Sequence, residues 1–305
     1  MLKPRALRPG DRIALVSPAS PFPRDEFDRG VEELRRLGYE PVWNESVFAR
    51  DVLTSGSPAT RAAAFLEAWC DPSIAALMAV RGGYGSVHLL PLLGADDLRR
   101  SPKAFIAYSD NTSLLAWLTT GCGIVGFHGP MLEGRLAKGE AGYDRRSLES
   151  AVTTVAGELG PDALEALSDG EAEGALFGGT LTQLLASLGT PFAFNPPDGA
   201  VLFLEDVNER PYKLHRMLTQ LRLAGLLERA RALVFGEMRG CDEPGGEPSA
   251  REVISSVLAG FPGPVLFGFP SGHTTGPCWT LPLGVHARVI ASGRPRLVIQ
   301  ESAVL

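Results

Sequence analysis

Short apolar runs alternate with helical patterns through the first half of this chain, and that alternation constrains its fold more than any other feature. Arg12–Ser17 reads as a buried strand ending before Pro18, and 25–37 as a helix with Phe27, Val31 and Leu34 on one stripe. Pro41–Trp43 is a short strand candidate, Thr60–Cys70 an Ala-rich helix, and Ile74–Val80 another buried strand. Ala104–Ala107 and Ile124–Phe127 read as strands on either side of a helix over Asn111–Thr119. Strands that alternate with helices build βαβ units, hence a parallel sheet with helices on both faces.

The stretch 133–173 changes character. It is rich in Gly, Glu, Ala and Arg, with one expected helix around 146–155, and it reads as a connector. The second half has strand candidates at Ala175–Phe177, Ala200–Leu204, Ala232–Phe235, Val265–Phe267, Ala287–Ala291 and Arg296–Ile299. Helices are expected at 181–188 and at 211–224, the latter opened by Pro211. The expected organisation is a nucleophile domain over 1–135, a linker over 136–172 and a second domain over 173–305. The fold class is α/β: a Rossmann/flavodoxin-like parallel-sheet domain followed by a smaller, more β-rich α/β domain.

Composition excludes several functions. The 305 residues are 45% hydrophobic, enough for a sizeable core without staples. A net charge of −6 argues against a nucleic-acid partner, which needs a clustered basic face. Cys70, Cys122, Cys241 and Cys278 are scattered without C-x-x-C spacing, so a structural zinc site is not expected. Scattered thiols point to a cytoplasmic location. No apolar run of signal-peptide length follows the N-terminus, and none approaches the ~18 residues of a membrane span, so no membrane partner is expected.

Ala104–Ser113, AFIAYSDNTS, is the sharpest motif. It places Ser109 where a strand runs straight into a helix. Ligands of open α/β sheets bind at such carboxyl ends, and helix-start N–H groups can stabilise an oxyanion. The geometry is that of a nucleophile elbow, although G-x-S-x-G would need glycine where Ala107 and Asn111 stand. Taken alone, the segment fits better with Ser109, Asp110 or Asn111 serving only as a helix cap. Arg81–Ser86, RGGYGS, is a glycine-rich turn that fits neither the Walker nor the dinucleotide pattern, yet can offer backbone N–H groups to an anion.

VLFLED delivers Glu205 to a strand end, and FPSGHTTG holds His273 in a loop between Gly272 and Gly276. A serine needs a base to become nucleophilic, and a histidine needs a carboxylate to fix its tautomer, so the order Ser109, Glu205, His273 is more informative than any one of them. His128, placed just after a strand, competes with His273 as base; His88, His215 and His286 fall in helical or strand positions that suit it less.

These segments, with RPGDRIALVSPASP (8–21), FHGPM (127–131), GGTLTQLLASLGTPF (178–192) and LEDVNERPYKLHRMLTQLRLAG (204–225), resemble the LD-carboxypeptidase family of serine peptidases, which also holds the microcin C immunity proteins. The resemblance implies a cytoplasmic two-domain hydrolase with Ser109 as nucleophile, Glu205 as acid and His273 as base. It implies an oxyanion hole from the N–H groups of Asp110 and of a loop glycine, for which Gly83 is chosen. It further implies a small peptide substrate, the murein tetrapeptide whose terminal D-alanine is released, and a homodimer. The alternative within the family is an immunity-type hydrolase of peptidyl or aminoacyl nucleotides. Those members are thought to stack the nucleotide on a tryptophan, and 177–195 contains none.

Overall fold

The computed structural model describes residues 1–153 and 156–305. The last two residues of the helix expected over 146–155 lie outside the described residues; the helix itself runs Arg145–Val152. Among the described residues, fourteen strands form two sheets. In chain order they are β1 (Arg12–Val16), β2 (Glu40–Val42), β3 (Ile74–Ala79), β4 (Ala104–Ala107), β5 (Gly126–His128), β6 (Gly157–Leu159), β7 (Glu165–Ser168), β8 (Glu171–Thr180), β9 (Val201–Glu205), β10 (Ala232–Gly236), β11 (Val265–Phe269), β12 (Leu281–Leu283), β13 (His286–Ile290) and β14 (Arg296–Ile299).

The first sheet has the order β12-β5-β4-β3-β1-β2. Strands β1 to β5 are parallel, and β12 adds to the edge antiparallel to β5. Every residue of β3 and β4 is buried, as strands covered on both faces must be. Strand order reverses between β1 and β3, and ligands of such sheets bind at the carboxyl ends beside a switch point of this kind.

The second sheet has the order β6-β14-β13-β8-β9-β10-β11-β7. Its centre, β8 to β11, is parallel, and antiparallel strands flank both sides. The architecture is thus α/β with a parallel-sheet unit and a more β-rich one. The helix Pro211–Leu223 buries Leu214, Leu218 and Leu221 against the second sheet's outer face. A larger core joins the first sheet to the other face.

Several elements depart from the sequence reading, among them the helix Ala250–Val257, which it does not anticipate. The stretch read as a connector supplies β6, β7 and the start of β8, which pair into the second sheet. Such short strands are fixed by their neighbours rather than by a periodic pattern. Strand β12, from the C-terminal half, completes the first sheet. Finally, β5 runs Gly126–His128, so His128 is the last residue of the strand instead of following it.

Candidate active site

The strand-to-helix turn after β4 puts Ser109 at φ 63°, the left-handed region that non-glycine residues seldom occupy. A one-turn 3₁₀ helix, Ser109–Asn111, then leads into the helix Thr112–Ala116. The turn is tied to the glycine loop. The N–H groups of Gly85 and Ser86 donate to the Asp110 carboxylate at 3.2 and 2.8 Å, and the Ser86 hydroxyl donates to the Asp110 carbonyl at 2.6 Å. The Asn111 amide donates to the Arg81 carbonyl at 3.0 Å. Gly82 abuts the serine: a Cβ there would stand 2.8 Å from Ser109 Cβ. Gly83 has φ 100°, a Cβ on it would collide with Ser20, and among the described residues its N–H makes no backbone hydrogen bond.

Glu205 ends β9 and Thr180 stands beside it at the end of β8. The carboxylate is 1% exposed. Gly236 and Gly272 make room for the side chain, since a Cβ on Gly236 would stand 2.6 Å from Glu205 Cβ and one on Gly272 2.6 Å from the carboxylate. His273 lies four residues beyond β11, and its side chain is 16% exposed. Its Nε2 is 3.0 Å from Ser109 Oγ and its Nδ1 is 2.9 Å from Glu205 Oε2, which also accepts the His273 backbone N–H at 3.0 Å. The Thr180 hydroxyl donates to Glu205 Oε1, and the Thr180 N–H donates to the Thr112 hydroxyl at 3.1 Å. A closed ring of contacts therefore runs Ser109, His273, Glu205, Thr180, Thr112 and back along the helix to Ser109.

Burial by itself would push the Glu205 carboxyl up. The charge and hydrogen bonds of His273, helped by His128 and Thr180, outweigh it and hold the group down at about 2. An ionised carboxylate thus faces an imidazole whose other nitrogen meets a half-buried hydroxyl. Chemically, this arrangement can take the hydroxyl proton onto the imidazole and support the resulting charge.

All five sequence candidates lie in this one region: Ser109, Glu205 and His273 in line, Gly83 and Asp110 around the serine. His128 lies apart from Ser109, fully buried, with burial pushing its ring down to about 4. Arg135 escapes the sequence reading. Its guanidinium donates to the carbonyls of Gly272 (2.7 Å), Thr274 (3.3 Å) and Gly276 (3.2 Å) and to the Tyr108 hydroxyl (3.2 Å), clamping the His273 loop to the residue before Ser109. No local motif marks it. Among the described residues no cluster of three or more His, Cys, Asp or Glu could hold a metal, and no helix is long and apolar enough to cross a membrane.

A two-sheet α/β molecule with these groups assembled between its halves has the layout of a hydrolase. Residues 13–129 match the family model described as LD-carboxypeptidase N-terminal domain, and residues 173–289 match the C-terminal domain of the same family. The chain belongs to the LD-carboxypeptidase family, and is thereby a peptidase. The murein tetrapeptide carboxypeptidase of Pseudomonas aeruginosa is 31% identical over 86% of this chain and 88% of its own. The microcin C7 self-immunity protein MccF of Escherichia coli is 31% identical over 90% and 89%. MccF solved in complex with glutamyl sulfamoyl guanosine superposes with TM-score 0.89 at 27% identity, covering 100% of both chains. The muramoyltetrapeptide carboxypeptidase from Oxalobacter formigenes gives TM-score 0.84 at 28% identity, covering 95% and 99%.

Proposed function

We propose that this chain is a serine-type LD-carboxypeptidase that releases the terminal D-alanine of an L,D-linked murein tetrapeptide during peptidoglycan recycling. The observation that carries the reading is the contact line Ser109 Oγ–His273 Nε2–Glu205, at 3.0 and 2.9 Å. His273 removes the hydroxyl proton as Ser109 attacks the scissile carbonyl. The N–H groups of Gly83 and Asp110 receive the oxyanion, where fixed donors act without reorganising. His273 then protonates the departing D-amino acid, and water repeats the sequence on the acyl-enzyme. Glu205 fixes the tautomer of His273 and supports its imidazolium form. The reaction asks for no metal or organic cofactor. Four free thiols favour a cytoplasmic place of work, among soluble wall fragments, and family resemblance favours a homodimer.

Selectivity for an L,D bond is a matter of fit, since inverting one stereocentre redirects the terminal group, and a misplacement of about 1 Å can cost ~100-fold in rate. The test is mass spectrometry of tetrapeptide digests ending in D- or L-alanine. We expect the D-terminated peptide to lose one residue and the L-terminated one to survive. Equal cleavage of both sinks the substrate assignment.

The likeness to MccF supports a second reading, hydrolysis of a peptidyl or aminoacyl nucleotide. The stretch 177–195 offers Phe177, Phe192 and Phe194 but no tryptophan for a base to stack on. An aminoacyl sulfamoyl adenylate in the same digest decides between them: turnover of it alone would select the second reading and leave the roles of Ser109, His273 and Glu205 standing.

A further inference from the structure

Two histidines address the Glu205 carboxylate, one at each oxygen. His273 holds Oε2 through its backbone N–H and Nδ1. His128 Nε2 stands 3.9 Å from Oε1, and the reaction just described makes no use of it. The ring is fully buried, and its Nε2 has no hydrogen-bond partner among the described residues. Its Nδ1 lies 2.9 Å from Ser271 Oγ, two residues before His273. Besides Glu205, the titratable groups around the ring are His273 and Tyr108, whose ring centroid is 6.0 Å away.

Ser271 has one proton and three acceptors within reach: His128 Nδ1 at 2.9 Å, the Trp279 carbonyl at 2.8 Å and, at the outer limit of a hydrogen bond, the His128 carbonyl at 3.5 Å. If the hydroxyl donates to Trp279, His128 must donate from Nδ1. A bare Nε2 lone pair is then buried against an ionised carboxylate. If the hydroxyl donates to His128 Nδ1, the ring proton sits on Nε2 and its dipole faces the negative charge. Among the described residues the Trp279 carbonyl then keeps only the Cys278 thiol as donor, at 3.6 Å. Interactions with a charged group outweigh those between neutral groups, and the low dielectric of the interior magnifies the difference. At 3.9 Å the contact is a dipole facing a charge, too long for a hydrogen bond.

We propose that His128 is a positioning residue for Glu205: oriented by Ser271, it carries its proton on Nε2 and steadies Oε1 while Oε2 serves His273. The proposal rests on the reading of Glu205 as the acid behind His273. Because Ser271 sits on the His273 loop, the same contact also registers that loop against β5.

Nitrogen-15 NMR at neutral pH reads the tautomer. The chain has five histidines, and the His128 signals are those lost in His128→Gln. If that variant fails to fold, elimination with variants at His88, His215, His273 and His286 assigns them. A neutral ring protonated on Nε2 is expected; a proton on Nδ1, or a charged ring at pH 7, overturns the proposal whatever the enzyme hydrolyses. Kinetics give a second readout. A glutamine amide can stand in for Nε2–H, whereas asparagine reaches only the Nδ1 position. His128→Gln should keep kcat/KM within about fivefold, and His128→Asn should lose about 10–100-fold, the usual cost of removing the partner behind a functional group. Equal losses in two folded variants overturn the proposal. Turnover surviving in Glu205→Gln would instead sink the triad reading and leave the tautomer result intact.

Discussion

At the carboxyl edge of the first sheet, Ser109 is placed by backbone. Its positive φ, the close approach of Gly82 and the Asp110 carboxylate on the Gly85 and Ser86 N–H groups make turn and loop one unit. At the carboxyl edge of the second sheet, Glu205 ends an ordinary strand and is placed by donors: the Thr180 hydroxyl, the His273 N–H and the His273 ring. The two groups face different hazards. A half-exposed hydroxyl must be aimed, and a strained residue aims it at a cost of about 1–3 kcal/mol. A buried carboxylate must be kept charged, and only paired donors do that, because an unpaired buried charge is expensive and the group would take up a proton instead.

Removing either group should give the largest effects and tests whether the two edges act as one device. Ser109→Ala should lower kcat by ~10⁴–10⁶ and Glu205→Gln by about 10⁴, with the double variant no worse than the serine variant alone, because members of a triad act as a unit. The measurement is kcat for each variant on the D-alanine tetrapeptide, beside circular dichroism and binding by calorimetry. Multiplicative losses in the double variant would mean that the edges work independently. Residual Ser109→Ala activity within about tenfold of the parent, far short of that loss, removes Ser109 from its role.

Gly82 breaks the comparison from the first side. Its φ is not in the left-handed region, so alanine suits the backbone, yet the new Cβ would press on Ser109 Cβ at 2.8 Å and Oγ at 3.0 Å. The expected outcome of Gly82→Ala is a loss of roughly 100-fold in kcat, from a displacement of the order of 1 Å, with little change in Tm. A variant with full activity would show that the serine is not held by this loop.

How much of this was legible in the sequence follows from how local each cause is. Ser109 announces itself because strand, turn and helix adjoin within ten residues, and Glu205 and His273 stand out as polar residues ending or following apolar runs. Gly82 and Gly83 are indistinguishable as letters; only the position of Ser20 beside one and Ser109 beside the other separates them. Arg135 and Thr180 act through partners 137 and 25 residues away along the chain, which no spacing rule reaches. Strands β6, β7 and β12 are three or four residues long, too short for a period, and exist because neighbouring edges pair with them. The same holds for His128: the apolar run stops at Phe127, while pairing with Ala107 and Leu281 carries the strand one residue further.

Thr180 probes the second edge. Thr180→Val keeps shape and burial but removes the hydroxyl on Glu205 Oε1. A buried acceptor left short of a donor costs about 1–3 kcal/mol, so kcat/KM should fall about tenfold or more and stability should drop by a similar energy. Thr180→Ser should restore most of both. If valine changes neither quantity, Glu205 is held by His273 alone, and the donor-based placement of the second edge is wrong.

The smallest expected effect separates two adjacent carboxyls. Asp206, next to Glu205, is pushed up to about 6 by burial and by the Glu205 charge, against the hydrogen bonds from Thr182 and Val207. Its folded value lies above the ordinary 3.8, so its contribution to stability is fully present below that value and is lost as pH rises through about 6. Glu205 has the opposite sign: its contribution is present above 4.5 and is lost as pH falls through about 2. The two carboxyls have opposite signs and largely separate windows, Asp206 from about 6 down to 3.8 and Glu205 from 4.5 down to about 2. Lowering the pH from 7 to 5 should therefore gain stability through Asp206 before anything is lost through Glu205. Thermal melts at both values, for the parent and for Asp206→Asn, measure the difference. The buried, neutral His128 pulls the other way over this range in both proteins, so the readout is the difference: acidification should favour the parent more than the variant. An equal pH dependence in both would mean that Asp206 is ionised throughout, its three donors outweighing both its burial and the neighbouring charge.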